Sequence, residues 1–292
     1  MATGRAIHIG LNAVSSDHYS GWSGELTACE FDANDMELLA EAQGFETSKL
    51  LTSDATRQNF ESAMEEASGS LVDGDFCLIT YSGHGGVLPD LNADEDDGQD
   101  ETWCLFDGQL VDDELYNLLA QFRSGVRVAV LSDSCHSGTV LKDQMLAEES
   151  PSLSEVRTGS LLGSARAARV RWASHFAYRA MPSPVAARVY MANKREYDKI
   201  LTNKELGGAQ ERVVASCLLI SGCQDNQLSG DGTFNGVFTA RLKSVWNGGK
   251  FKGDYRSFVK TIVHGMPADQ TPNLFAVGTE TTAFASQSPF VV

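Results

Sequence analysis

The sequence has no apolar stretch approaching the roughly 20 residues that a membrane-crossing helix requires. Its first residues, Met1 to Arg5, lack the apolar run of a secretory signal, so a cytoplasmic location without membrane association is expected. Closely spaced cysteines are also missing. Cys29, Cys77, Cys104, Cys135, Cys217 and Cys223 are scattered over 292 residues, several of them inside apolar runs where a reduced thiol packs as a small hydrophobe. That pattern argues against a disulfide framework and offers none of the cysteine pairs of structural zinc. Positive charge is scarce: 23 Lys and Arg stand against 39 Asp and Glu, a formal charge of -16. The resulting field repels polyanions, so neither nucleic acid nor an anionic membrane is an expected partner.

The charge is unevenly spread. From Asp90 to Glu114 there are eleven acids and no Lys or Arg, whereas residues 151–212 hold eleven of the basic residues against five acids. One strongly anionic loop and one cationic insert are expected.

Hydrophobic periodicity alternates between strand and helix. Ala6 to Leu11 reads as a strand, Leu26 to Gln43 as a helix closed by Gly44, Glu46 to Leu51 as a strand and Arg57 to Ala67 as a helix. Asp75 to Tyr81 and Val126 to Leu131 continue as strands, with a helix near Asp113 to Phe122 for which Asp112 is a suitable N-cap. Such alternation predicts an α/β domain, a mainly parallel sheet covered by helices on both faces. After Ser137-Gly138 the pattern fails, and residues 144–212, rich in Ser, Ala and Arg and interrupted by Pro182 and Pro184, read as an insert or linker. Order resumes with a strand over Val213 to Ser221, helices over Gly236 to Trp246 and Tyr255 to His264, and a final strand around Asn273 to Val277. The chain thus divides into 1–143, 144–212 and 213–292 within one domain.

Two polar sequences follow directly on apolar strands: Tyr81-Ser82-Gly83-His84-Gly85-Gly86 and Ser132-Asp133-Ser134-Cys135-His136-Ser137-Gly138. In an open parallel sheet the loops at the carboxyl ends of the strands converge on the functional crevice. A free thiol is only a few per cent ionised at neutral pH, and a nearby imidazole can take its proton and later give it to a leaving amine. Cys135 as nucleophile and His84 as base, with the backbone amides of Gly85 and Cys135 as an oxyanion hole, are therefore the candidate machinery. Taken singly, each side chain has an ordinary reading: a buried structural thiol, a hydrogen-bonded loop histidine. Their joint position at two strand ends favours the chemical one. His136 is a rival base whose adjacency to Cys135 makes a facing geometry difficult, His8 is expected to face a helix layer, and Cys29 and Cys77 read first as core.

Ser82-Gly83-His84-Gly85 and Asp133-Ser134-Cys135-His136-Ser137-Gly138 resemble the paired signatures of metacaspases and their bacterial relatives, and the interval from His84 to Cys135 fits the caspase spacing. The resemblance continues through Asp97-Gly98-Gln99-Asp100-Glu101-Thr102, Val111-Asp112-Asp113-Glu114-Leu115, Ile220-Ser221-Gly222-Cys223-Gln224-Asp225 and Gln270-Thr271-Pro272-Asn273. It implies a caspase-like fold, a six-stranded mostly parallel sheet flanked by helices with the strand near Asn273 antiparallel. Residues 1–143 then resemble the large subunit and 213–292 the small subunit of such enzymes. It also implies cysteine endopeptidase activity on protein or peptide substrates, with cleavage after Arg or Lys, and a pocket for the basic side chain made by Cys29, Asp32, Ser82 and Asp133. The chemistry agrees: a carboxylate at Asp133 would raise, not lower, the pKa of a neighbouring thiol, so it needs another purpose, and holding a guanidinium supplies one. Helix capping is the ordinary alternative for Asp32 and Asp133.

Three further expectations follow. Arg157, Arg166, Arg169, Arg171 and Arg195 in the cationic insert could reach an acidic pocket, which suggests self-cleavage there; a solvated basic surface, or a docking face for a regulatory protein, is the alternative. Calcium, which the resemblance brings in, would call on Asp97, Asp100, Asp107 and Asp143. Gly108 and Lys142 stand where related proteins often carry acids, however, so an enzyme with no required cofactor is favoured. The competing functional classes are an inactive interaction module of the same fold and, more weakly, an acyl transferase or ligase using the same pair of residues.

Overall fold

A computed structural model describes residues 2–91, 98–134, 177–223, 230–232, 234–267 and 270–292. The strands are β1 (Gly4–Gly10), β2 (Phe45–Leu51), β3 (Phe76–Ser82), β4 (Gly85–Pro89), β5 (Gln99–Leu105), β6 (Gly108–Val111), β7 (Arg127–Asp133), β8 (Ala177–Tyr178), β9 (Ser216–Ser221), β10 (Gly230–Asp231) and β11 (Asn273–Gly278). The helices are α1 (Cys29–Ala42), α2 (Arg57–Ser70), α3 (Asp112–Leu119), α4 (Ser183–Ala192), α5 (Lys194–Leu201), α6 (Val237–Trp246), α7 (Tyr255–His264) and α8 (Thr281–Ala285). No helix among the described residues is long and apolar enough to cross a membrane.

The main sheet has six strands in the order β11-β9-β7-β3-β1-β2, parallel throughout except for β11, which runs antiparallel to β9. Its inner strands are apolar along their length because both faces are covered. Alternate residues divide between the two layers. Ile7, Ile9, Cys77, Ile79, Tyr81, Val128 and Val130 face one layer, where Phe60 and Met64 of α2, Leu115 and Leu119 of α3 and Val189 of α4 meet them. Ala6, Phe76, Leu78, Ala129, Leu131, Leu218 and Ile220 face the other, against Met36 and Leu39 of α1, Phe238 and Leu242 of α6 and Phe258 and Ile262 of α7. Each fully buried Val, Leu, Ile, Phe or Met among them contributes about 1.5–3 kcal/mol relative to exposure.

Local signals set the helix starts. Thr56 accepts from the amide of Asn59 at 3.2 Å ahead of α2, and Asp254 accepts from the amide of Ser257 at 2.8 Å ahead of α7. In α3 the expected cap is displaced by one residue: Val111 precedes the helix, Asp112 is its first residue, and Glu114 reaches back to the Val111 N–H at 3.1 Å.

Two regions differ from the sequence reading. The acidic stretch is no single loop, because β5 and β6 lie within it and pair with the preceding β4 in a separate three-stranded antiparallel sheet. The latter part of the region read as an insert carries α4 and α5. Pro184 sits in the first turn of α4, where its missing N–H has no cost. Val185, Ala186, Val189, Tyr197 and Leu201 are buried in the first core layer.

Candidate active site

Sequence neighbours on different strands meet at the carboxyl edge of the main sheet. The parallel register places Ser82, the last residue of β3, opposite Asp133, the last of β7, and opposite Gly10 of β1. The chain leaving β1 returns into α1 against that edge. A β-carbon on Gly10 would lie 2.4 Å from the Cys29 carbonyl, so the strand and the helix start approach to a distance only glycine allows. This brings Asp32 of α1 to the end of β3, where the Ser82 hydroxyl donates to it at 2.8 Å.

The centre of this cluster is an arginine. Arg179 follows β8 and its side chain is 0% exposed. Its Nη2 donates to Asp32 at 2.7 Å and to Asp231 at 2.9 Å, and its Nη1 lies 2.9 Å from an Asp133 carboxylate oxygen and donates to the Ser82 hydroxyl at 2.8 Å. Three carboxylates thus surround one guanidinium. Burial opposes the charge on Arg179, but Asp133 and then Asp32 and Asp231 outweigh it and hold its pKa well above the usual range.

Each carboxylate has further donors. Asp32 also accepts from the Asn235 side chain at 2.9 Å and from the Gly236 amide at 3.1 Å. Asp133 accepts from the amide and hydroxyl of Thr239 at 3.1 and 2.8 Å. Asp231 accepts from the amide and hydroxyl of Thr27 at 2.8 and 3.0 Å. Gly236 precedes α6 and has no side chain to cap it, so carboxylates from α1 and β7 satisfy the amides at its start. Capping and guanidinium binding, alternatives in the sequence, are here two uses of the same oxygens. Burial, and then the nearby Asp133, push the Asp32 carboxyl up to about 6 against the pull of Arg179; since Arg179, Ser82, Asn235 and the Gly236 amide donate to it, it is the anion at neutral pH. Cys29 is buried beside this cluster, its thiol pushed up to about 12 by burial, and is therefore neutral.

His84 lies just past β3. Its Nε2 is 2.9 Å from the Gly24 carbonyl, so the neutral ring carries its proton there and leaves Nδ1 as acceptor. Nδ1 is buried without a hydrogen-bond partner among the described residues. The ring lies 4.7 Å from that of Trp22, centroid to centroid, and burial, aided by the charge of Arg179, lowers its pKa to about 4 despite the Gly24 bond. Tyr81 donates through its hydroxyl to the His84 carbonyl at 2.7 Å, fixing the turn. The Gly85 amide donates to the carbonyl of Arg179 at 2.9 Å, and the Met181 amide donates to the Gly85 carbonyl at 2.7 Å.

Of the residues singled out from sequence, the structure brings Cys29, Asp32, Ser82, Asp133, His84 and Gly85 to this edge. Cys135 lies outside the described residues, as do Asp97, Asp143, Arg157, Arg166, Arg169 and Arg171. Arg195 is exposed on α5. Asp100 is buried on β5 and Asp107 accepts from the Arg57 amide at 2.9 Å. Among the described residues no group of three or more His, Cys, Asp or Glu side chains is arranged to hold a metal ion.

Two members of the cluster were missed in the sequence: Asp231, on a two-residue strand with no periodicity to read, and Arg179. Gln270, in the last motif of the resemblance, has a positional part. Its side-chain amide donates to the Gly222 carbonyl at 3.0 Å and its oxygen faces the Gly230 amide at 3.5 Å, tying the end of β9 to β10.

Comparison with known proteins agrees with this architecture. A protein of Geobacter sulfurreducens of known crystal structure is 48% identical and superposes with a TM-score of 0.80 over 99% of both chains. Metacaspase-1 of Cryptococcus neoformans is 37% identical over 152 residues, 47% of this chain and 32% of that protein. Metacaspase-1A of Aspergillus oryzae is 30% identical over 286 residues, 89% of this chain and 63% of its own length. The chain thus spans between about a third and three fifths of the curated relatives it matches. The peptidase C14 family model described as the caspase domain matches residues 5–284, and the chain belongs to that family of cysteine peptidases.

Proposed function

We propose that the chain is an endopeptidase that cleaves peptide bonds after arginine, and less readily after lysine, through a thioester on Cys135. The observation that carries this reading is the buried cluster of Asp32, Asp133, Asp231 and the Ser82 hydroxyl closed around a guanidinium. Three carboxylates removed from water are costly unless a cation joins them, so the hole selects a positive side chain. Its forked, multi-oxygen geometry fits a planar guanidinium better than the point charge of an ammonium.

Above the hole, His84 Nδ1 takes the proton of the Cys135 thiol, and the ring is held for that task by its Nε2 bond to Gly24. The thiolate attacks the carbonyl carbon of the bound arginine itself. The oxyanion that forms accepts from the Gly85 amide, and His84 returns the proton to the leaving amine. Water then hydrolyses the thioester and restores the thiol.

Turnover of an arginyl fluorogenic peptide by the wild-type chain, abolished by Cys135→Ala, is the expected result. Wild-type rates in that variant would overturn the assignment. Irreversible labelling by an arginyl chloromethyl ketone separates this reading from an inactive interaction module, which would remain unlabelled. Product analysis with added amine acceptors separates hydrolysis from acyl transfer.

A further inference from the structure

The guanidinium in the hole belongs to the chain itself, and its backbone is laid out as a substrate's would be. Tyr178 and Ala177 pair antiparallel with Gly230 and Asp231, so the residues before Arg179 form an added strand on the rim of the hole. The Arg179 carbonyl accepts from the Gly85 amide at 2.9 Å, the same group that would receive the oxyanion. Beyond it, Ala180 bridges to Gly85 and Met181 donates back to the Gly85 carbonyl at 2.7 Å, which holds the leaving side as well. A purely structural ion cluster needs the side chain in place; it does not need the peptide carbonyl on that amide with strand pairing on one side and a strap on the other.

We infer that the Arg179–Ala180 peptide bond is the chain's own first substrate, seated in the specificity hole until it is cut. This rests on the protease reading above and adds to it the bond that is cleaved and the occupant of the resting site. In the step, the Cys135 sulfur bonds to the Arg179 carbonyl carbon and the bond to the Ala180 nitrogen breaks. That nitrogen takes the proton held by His84, and water then releases Arg179 as a carboxylate with the thiol restored.

The test is denaturing intact-mass spectrometry and amino-terminal sequencing of the purified, incubated chain beside Cys135→Ala. The wild type is expected to yield fragments 1–179 and 180–292, the second beginning Ala180-Met181-Pro182, and Cys135→Ala to stay whole. Arg179→Lys should be cut at the same bond about tenfold more slowly or less, and Arg179→Gln not at all there. The neutral variant strips the cation from three buried carboxylates and can fail to fold, so the deciding comparison is wild type against Cys135→Ala, which leaves the hole untouched. An arginyl peptide assayed in parallel separates the failures. Peptide turnover with the 179–180 bond intact, or cleavage only at other arginines, overturns this inference and leaves the protease reading standing. Neither turnover nor cleavage overturns both.

Discussion

His84 donates through Nε2 to the Gly24 carbonyl at 2.9 Å, and this bond decides which ring nitrogen is free to act as base. Gly24 has a φ of +52°, and a β-carbon there would lie 2.8 Å from the Trp22 ring and 3.0 Å from the His84 ring. Because burial lowers His84 to about 4, the ring stays neutral, and competent as a base, well below the usual histidine range. We predict that the acid limb of the pH–rate profile for self-cleavage lies nearer pH 4 than pH 6.5. A limb at 6.5 would show that the working base is exposed and is not this histidine.

Asp231 divides its oxygens, one to Arg179 and one to Thr27. Asp231→Asn keeps the shape but removes one of three charges facing the guanidinium, a loss of about 1.5–3 kcal/mol for a charged hydrogen bond. The KM for an arginyl peptide should therefore rise about tenfold to a hundredfold with a smaller change in kcat. Equal losses in kcat at unchanged KM would place Asp231 in the chemistry instead.

Gly236 forms part of the wall of the hole. A β-carbon there would lie 2.5 Å from both the Arg179 guanidinium and an Asp133 oxygen, so Gly236→Ala fills the space meant for the cation. Arginyl chloromethyl ketone labelling should fall by about two orders of magnitude. Labelling at the wild-type rate would mean that the cation is bound elsewhere.

Asp112 supplies a test of stability apart from activity. Burial, then Asp113, Asp100 and Glu101, push its carboxyl up to about 8. The folded chain therefore binds a proton there that the unfolded chain, with an ordinary carboxylate, has already released. Between about pH 4 and 8 the contribution of this group to stability falls as pH rises, by up to about 1.4 kcal/mol per unit. Asp112→Asn should flatten that slope in denaturant titrations and raise the midpoint at pH 8; an unchanged slope would refute the shift.

Tyr81 stacks on Trp103 at 4.4 Å, nearly parallel, while its hydroxyl reaches the His84 carbonyl. Tyr81→Phe keeps the stacking and should cost about 0.5–1.5 kcal/mol in unfolding experiments, with a lower kcat as the turn bearing His84 loosens. A drop in KM alone would contradict a positioning part for this hydroxyl.

The main sheet could be read in the sequence because its strands are buried on both faces and stand out as apolar runs. The turns after β3 and β7 could be read because polar residues follow those runs at once. Asp32, Ser82 and Asp133 were reachable through the family resemblance, backed by the argument that a carboxylate beside a thiol needs a cationic partner. Other features left no local trace. Arg179 acquires its place from Asp32 and Asp231, 147 and 52 positions away, and its immediate neighbours carry no periodicity. The sheet of β4, β5 and β6 was hidden by its acids: Asp100 is buried on a strand that composition alone describes as a solvated loop. In α4 and α5 the spacing of Val185, Val189, Tyr197 and Leu201 is a helical signal, masked by the abundance of Ser, Ala and Arg upstream, which is the composition of a linker.

The placement of β9 between β7 and β11 has a practical corollary. Scission at residue 179 would sever the covalent thread yet leave both pieces hydrogen-bonded across the middle of one sheet, with side chains from each filling the same two apolar layers. Such halves elute together on gel filtration at the size of the uncut molecule, and separate only when the strands are melted apart.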